Sequence, residues 1–117
     1  MNNVYIPKVR RNFPDRDEII SADKIMSVVQ NYFGVSRDDL LKKSRKVHVL
    51  YPRQVCQWLM DKWSAHSHKG IGVIFEQDRT SVYNSIGAID NYMACDDKVK
   101  EQIQALEKLI LDGDNKS

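Results

Sequence analysis

The feature that most constrains the fold is a pair of apolar segments, separated by a short polar break, within residues 66–93. Ser67 is a good N-cap for a first helix. Asp78 can cap a second helix, because its carboxylate would lie near the positive end of that helix. Apolar residues then recur every three or four positions: Val82, Ile86, Ile89 and Met93. This is the period of a helix with one buried face, so the stretch predicts two helices joined by a tight turn.

The second of these helices begins with polar residues. Arg79, Thr80 and Tyr83 fall outside the apolar stripe, and we expect them to be exposed. Helix-turn-helix proteins present such side chains to the major groove of DNA from the start of their second helix. A capped and solvated helix start is the alternative interpretation, and this segment alone does not distinguish the two.

Residues 42–53, KKSRKVHVLYPR, form a basic segment without an acidic residue. Its positive charges are Lys42, Lys43, Arg45, Lys46 and Arg53. The formal net charge of the whole chain is only +2, so the rest of the chain is net negative. A polarised charge distribution suits binding to an anionic polymer, although a solvated loop would also explain a basic run.

Pro52 predicts where the next helix starts. Proline suits the first helical position, where its missing N–H costs no hydrogen bond. We therefore expect a helix over about residues 52–65. Arg53 and Gln54 would be exposed in its first turn, within reach of phosphates or base edges.

The remaining helices are predicted from their caps. Ser21 is the expected cap of a first helix that ends at Phe33, with Gly34 as its stop. Ser36 and Asp39 have the spacing of a capping box at the start of a short second helix. A final helix is expected to start near Asp96. The sequence thus indicates an all-α fold of about six helices.

Taken together, these segments resemble the C-terminal DNA-binding domain of the bacterial replication initiator DnaA, over about residues 21–111. The matching segments are NYFGVSRDDLLKKSRK (31–46), YPRQV (51–55), HS (66–67), IG and F (71, 72 and 75), DRTSV (78–82) and EKLI (107–110). The resemblance implies a single small domain with a helix-turn-helix of the Trp-repressor-like kind. It also implies sequence-specific binding to double-stranded DNA at an initiator-box-like site, in replication initiation or its regulation.

The resemblance implies roles for individual residues. The basic loop would place Arg45 in the minor groove, and Arg53 and Gln54 would contact DNA from the helix that follows. Lysines would hold phosphates, and the start of the second helix of the motif would read bases in the major groove. The predicted DNA-binding residues are Lys42, Lys43, Arg45, Lys46, Arg53, Gln54, His68, Lys69, Asp78, Arg79, Thr80 and Ser81.

The chain also departs from the family pattern. The family's recognition helix begins with aspartate, histidine and two threonines, where this chain has DRTS (78–81). The turn before it is one residue shorter, with Glu76-Gln77 in place of a glycine-glycine-arginine stretch. Because arginine favours the O6 and N7 atoms of guanine, we predict a shifted base preference under Arg79. Lys69 could supply a phosphate contact, whereas Asp61 stands where a basic residue often contacts phosphate and would repel it.

Composition and length predict one domain with short tails. We expect a flexible N-terminal tail over residues 1–18, the helix-turn-helix domain over residues 19–111 and a disordered polar tail over residues 112–117. No apolar run is long enough to span a membrane or to form a signal peptide, so a cytoplasmic protein is expected. Cys56 and Cys95 fit reduced thiols, and Cys56 is expected to be half-buried.

An ATPase module is not expected. The phosphate-cradling string GxxxxGK[ST] does not occur in the 117 residues. We therefore expect a free-standing domain of a small replication or regulatory protein, with a cloned fragment as the alternative.

Catalysis is not indicated either. His66 and His68 form an HxH pair, but no cysteine, aspartate or glutamate accompanies them at ligand spacing, so we expect neither a metal nor another cofactor. The expected protein is a DNA-binding monomer rather than an enzyme, with the oligomeric state left open. The alternative is an adaptor that docks on replication initiator or helicase-loading proteins through an exposed Tyr83, an exposed Trp63 and the final helix, with weak or lost DNA binding.

Overall fold

Six α-helices lie within residues 19–42 and 46–116, which are the residues that the computed structural model describes. They are α1 (Ala22–Phe33), α2 (Arg37–Leu41), α3 (Val47–Trp63), α4 (His68–Phe75), α5 (Arg79–Cys95) and α6 (Asp97–Lys116). This part of the chain contains no strand. The predicted all-α class, the single small domain and the number of helices are confirmed.

The ends of α1 and α2 are set by nearby side chains. The backbone N–H of Lys24 donates to Ser21 Oγ at 3.1 Å, and Gly34 closes α1 in the left-handed conformation with φ 69°. Ser36 and Asp39 form a reciprocal capping box, in which each side chain accepts from the other residue's backbone N–H at 3.0 and 3.4 Å. These caps satisfy N–H groups that have no partner inside a helix, as the sequence predicts.

Helix α3 is the centre of the fold. It packs against α1, α2, α4 and α5, while α6 covers α1 and α5. The fully buried side chains of α3 are Val55, Cys56, Gln57, Leu59 and Met60. Val82, Ile86 and Ile89 of α5 are also buried, so the predicted apolar stripe of α5 is confirmed.

The two cysteines are free thiols. Cys95 is exposed, whereas Cys56 is fully buried, so the expectation that Cys56 is only half-buried is wrong. Burial raises the pKa of the Cys56 thiol, because the apolar core disfavours the thiolate. Cys56 is therefore a packing residue of the core.

The prediction that Pro52 begins a helix is wrong, because α3 begins at Val47 and Pro52 lies inside it. Val49 is buried in the early part of α3. The hydroxyl of Tyr51 donates to Oε1 of Gln102 on α6 at 2.7 Å. These tertiary contacts hold the helix ahead of the proline, although proline removes one hydrogen bond from a helix interior.

Helix α6 is amphipathic and continues to Lys116, through residues 112–116 of the expected polar tail. Its apolar stripe is buried at Ile103, Leu106 and Ile110. Proline would have ended the helix, and residues 97–117 contain none. None of the helices over residues 19–42 and 46–116 combines the length and apolar character needed to cross a membrane.

The turn between α4 and α5 contains a strained residue, Glu76. Its φ of 56° and ψ of 44° are left-handed, and its backbone N–H closes α4 by donating to the carbonyls of Gly72 and Val73. A β-carbon in this conformation costs roughly 1–2 kcal/mol, a cost that glycine avoids.

We expect Glu76→Gly to raise the free energy of unfolding by up to about 1 kcal/mol, because the relieved strain is partly offset by the larger entropy that glycine loses on folding. Urea denaturation measures this change. Gln77→Gly, one residue further along the same turn, is the matched control and should lower stability. A Glu76→Gly variant that unfolds at the same or a lower urea concentration than the parent protein would contradict the strain argument.

Candidate nucleic-acid interface

Helices α4 and α5 form a helix-turn-helix with a cap at the start of each helix. The backbone N–H of Gly70 donates to Ser67 Oγ at 3.1 Å at the start of α4. The backbone N–H of Ser81 donates to Asp78 Oδ1 at 2.8 Å at the start of α5. Both predicted caps are confirmed, and Asp78 marks the point where the turn ends and the second helix begins.

Gly72 lets the turn lie directly against α4. A β-carbon at this buried position would lie well under 3.0 Å from the carbonyl oxygen of Gln77, a distance that real β-carbons do not show. The backbone N–H of Gln77 also donates to the carbonyl of Gly72 at 2.8 Å. This close backbone contact fixes where α5 starts relative to α4.

Gln57 supports the same turn from α3. It is fully buried, and its Nε2 donates to Oε1 of Gln77 at 3.0 Å. Buried side-chain amides need hydrogen-bond partners, so this bond connects the turn to the central helix. Gln57 is not among the predicted site residues, although its amide stands between the apolar residues Val55 and Leu59 in the sequence.

Polar side chains cover the surface where α4 and α5 begin. Lys69 lines a shallow depression of about 410 Å³ together with Gln77, Asp78 and Arg79. Thr80 and Ser81 are exposed in the first turn of α5. We call Lys69, Arg79, Thr80 and Ser81 the recognition surface. The structure thus brings together these predicted site residues and the Asp78 cap.

Hydrogen bonds to its carboxylate hold the pKa of Asp78 below the ordinary value of 3.8. The largest cause is the backbone N–H of Ser81, followed by the Ser81 side chain, and the backbone of Thr80 adds a smaller contribution. A carboxylate accepts these bonds best when ionised, which explains the direction of the shift. Asp78 is therefore a charged cap at neutral pH.

We expect Asp78→Asn to reduce the loss of stability in acid. The pKa of Asp78 is lower in the folded than in the unfolded chain, so its stabilising contribution is present above the unfolded pKa and is lost as the pH falls through the folded pKa. Asparagine caps a helix about as well but does not titrate. Urea denaturation at several pH values between about 5 and about 3 should show a smaller decline for the variant. Parallel declines in the two proteins would contradict this role of Asp78.

His68 connects the motif to the central helix. Its Nε2 lies 2.9 Å from Oδ1 of Asp61 on α3, and its ring centroid lies 6.0 Å from that of Tyr83 on α5. Asp61 is only 7% exposed, so the expectation that it faces and repels a phosphate is wrong. A buried carboxylate requires such a partner, and His68 on α4 supplies it.

The predicted basic segment is only partly described by the structure. Lys42 and Lys46 are exposed, whereas Lys43 and Arg45 lie outside the described residues. Arg53 is 4% exposed, and its Nη1 donates to the carbonyl of Lys42. The predicted exposure of Arg53 in a first helical turn is therefore wrong.

The early start of α3 at Val47 explains the burial of Arg53. It moves Arg53 inside the helix, where its side chain anchors the end of α2. Gln54, beside it, is half-buried.

The expectation that Trp63 is an exposed docking residue is also wrong. Trp63 is half-buried, and its Nε1 donates to Oε2 of Glu107 on α6 at 2.9 Å. Nζ of Lys62 lies 2.8 Å from the same oxygen and 5.4 Å from the centre of the Trp63 ring. Trp63 therefore joins α3 to α6.

The chain is similar to known bacterial proteins over most of its length. The family model described as the bacterial dnaA protein helix-turn-helix matches residues 22–89. The chain is 32% identical over 101 residues to the chromosomal replication initiator protein DnaA of Xanthobacter autotrophicus, a match that covers 86% of the chain and 20% of that protein. For the protein of the same name in Bdellovibrio bacteriovorus, the identity is 33% over 92 residues, covering 78% of the chain and 20% of that protein. The chain thus spans about a fifth of the length of these relatives.

Proposed function

The chain belongs to the bacterial DnaA helix-turn-helix family, and from this membership we propose that it binds double-stranded DNA sequence-specifically, in replication initiation or its regulation. The observation that carries the proposal is the recognition surface, in which Arg79, Thr80 and Ser81 are exposed beside Lys69 at the start of a capped helix. This is the part of a helix-turn-helix that meets base edges in the major groove.

Each residue of the recognition surface suits a particular contact. Arg79 has the planar, two-pronged donor group that pairs with O6 and N7 of one guanine. Thr80 and Ser81 carry hydroxyls that can pair with several base edges or with phosphates. Lys69 offers a point charge for a phosphate next to the base-reading residues.

The basic segment would add contacts outside the major groove. We propose that Lys42, Lys43 and Lys46 neutralise phosphates and that Arg45 enters the minor groove. Phosphate contacts position the protein but carry little sequence information, whereas an arginine in a narrow minor groove responds to DNA shape. Arg53 would act indirectly, because its bond to the Lys42 carbonyl holds the start of this segment.

The test is selection of bound duplexes from a randomised DNA pool at near-physiological salt. We expect an enriched motif of about one helical turn of DNA. A folded protein that enriches no sequence would contradict the proposal and would favour the adaptor function, in which the chain docks on other replication proteins.

Lys69→Ala and Thr80→Ala should separate positioning from base reading. Lys69→Ala should weaken binding to the selected duplex and to a scrambled one by the same factor, and should reduce the slope of log K against log salt by about 1. Thr80→Ala should leave that slope unchanged and reduce the difference in affinity between the two duplexes. Fluorescence anisotropy titrations at four salt concentrations measure both quantities. The opposite assignment of effects would contradict the proposed contacts.

A further inference from the structure

Helix α3 carries a row of polar residues on one buried face. Arg53, Gln57 and Asp61 follow one another at intervals of four residues, so they lie on the same side of the helix. They are 4%, 0% and 7% exposed. Charged and amide side chains reach this degree of burial when other polar groups meet them, so the positions of their partners show what the row does. We call these three residues the polar row.

Each residue of the polar row contacts a different part of the candidate interface. The first residue of the row donates to the carbonyl of Lys42, in the basic segment. Gln57 donates from Nε2 to Oε1 of Gln77 at 3.0 Å, in the turn before α5. Oδ1 of Asp61 lies 2.9 Å from Nε2 of His68, the first residue of α4. One face of α3 therefore holds the basic segment and both ends of α4 in a common frame.

Gln57 is the residue of the polar row that packing alone does not explain. Its side chain is fully buried, and its Oε1 has no hydrogen-bond partner among residues 19–42 and 46–116. A buried acceptor without a partner destabilises the folded state, and a leucine at this position would avoid that cost. Natural proteins break such rules of packing mainly at functional sites. The bond to Gln77 is the contact that a leucine could not make.

We infer that Gln57 is a positioning residue for DNA recognition, which fixes the start of α5 relative to the basic segment; this inference rests on the proposed function. Gln77 directly precedes the Asp78 cap, so the bond from Gln57 holds the backbone from which the recognition surface begins. Arg53 holds the basic segment from the same face of α3. A duplex that meets both surfaces must fit both at once, so its base contacts depend on their relative position.

The test compares Gln57→Leu with the parent protein in two measurements. The ratio of the affinity for the selected duplex to that for a scrambled duplex should fall about fivefold, the discrimination that one well-formed base contact provides. The urea midpoint should stay the same or rise, because the unpaired buried oxygen is removed and the amide of Gln77, which is half-buried, can be solvated. A residue with only a structural role would lower the midpoint and leave the affinity ratio unchanged.

Two further variants identify the bond as the cause. Gln77→Ala removes the other side of the bond and should lower the affinity ratio as Gln57→Leu does. The double variant should show the loss of one substitution rather than the sum of two, because both remove the same bond. Gln102→Leu is the matched control, since Gln102 accepts a hydrogen bond from Tyr51 but lies on α6, outside the helix-turn-helix. It should keep the affinity ratio of the parent protein.

The outcomes distinguish the inference from the function on which it rests. If Gln57→Leu is folded and keeps the affinity ratio, or weakens binding to both duplexes by the same factor, the inference is overturned while sequence-specific binding stands. If Gln57→Leu does not fold, Gln77→Ala decides in the same way. If the parent protein enriches no sequence at all, both the inference and the proposed function are overturned.

Discussion

Replacing Gly72 by alanine should lower the free energy of unfolding by about 1–3 kcal/mol, although alanine is the better helix former. The added β-carbon would meet the carbonyl oxygen of Gln77 at a distance that atoms do not tolerate. That oxygen belongs to the backbone of the turn, so the clash cannot be relieved by rotating a side chain. The turn, and with it the start of α5, would have to move away from α4.

Urea denaturation of the Gly72→Ala variant, compared with that of the Gly87→Ala variant, tests this expectation. Gly87 lies inside α5, and no atom outside the local helix backbone lies within 4 Å of the position of an added β-carbon. Alanine there should raise stability by up to about 1 kcal/mol, because it only improves helix propensity. If both variants were stabilised alike, the close contact between α4 and the turn would not exist as described.

Arg79→Ala is expected to have the largest effect on DNA recognition. Loss of one bidentate arginine contact to guanine should remove about 1–3 kcal/mol of discrimination at a single base pair. Arg79 is exposed at the start of α5, so its removal should leave the fold intact. Selection from a randomised pool with the parent and the variant measures the change, which should appear as lost preference at one position of the motif.

Arg37→Ala provides the control for charge. Arg37 is an exposed arginine on α2, which is not one of the two helices of the helix-turn-helix, and its Nη2 lies 2.9 Å from Oδ1 of Asp23 on α1. Arg37→Ala removes one positive charge, as Arg79→Ala does, but should leave the selected motif unchanged. If Arg79→Ala instead weakened binding to all duplexes by the same factor, Arg79 would be a phosphate contact and the predicted shift in base preference would be wrong.

The sequence by itself determined the helix boundaries that depend on local bonds. Ser21, Ser36, Ser67 and Asp78 each cap a helix through a backbone N–H three residues further along the chain. Such bonds form within one turn, so the residue types and their spacing are sufficient to predict them. The apolar stripe of α5 was predictable for a related reason, since helical periodicity alone decides which of its residues share a face.

Only the tertiary structure decided how distant segments use their polar residues. Arg53 lies inside α3 because the helix begins ahead of Pro52, where a contact with α6 stabilises it. The Arg53 side chain therefore donates to the carbonyl of Lys42. Asp61 is buried and pairs with His68 of α4.

The turn of the helix-turn-helix shows the same division. The sequence marks Asp78 as the cap, but the backbone approach at Gly72 and the bond from Gln57 to Gln77 join segments of different helices. Burial and pairing of this kind depend on which helices pack together. A periodic pattern indicates only that a helix has a buried face, and not which other helix packs against that face.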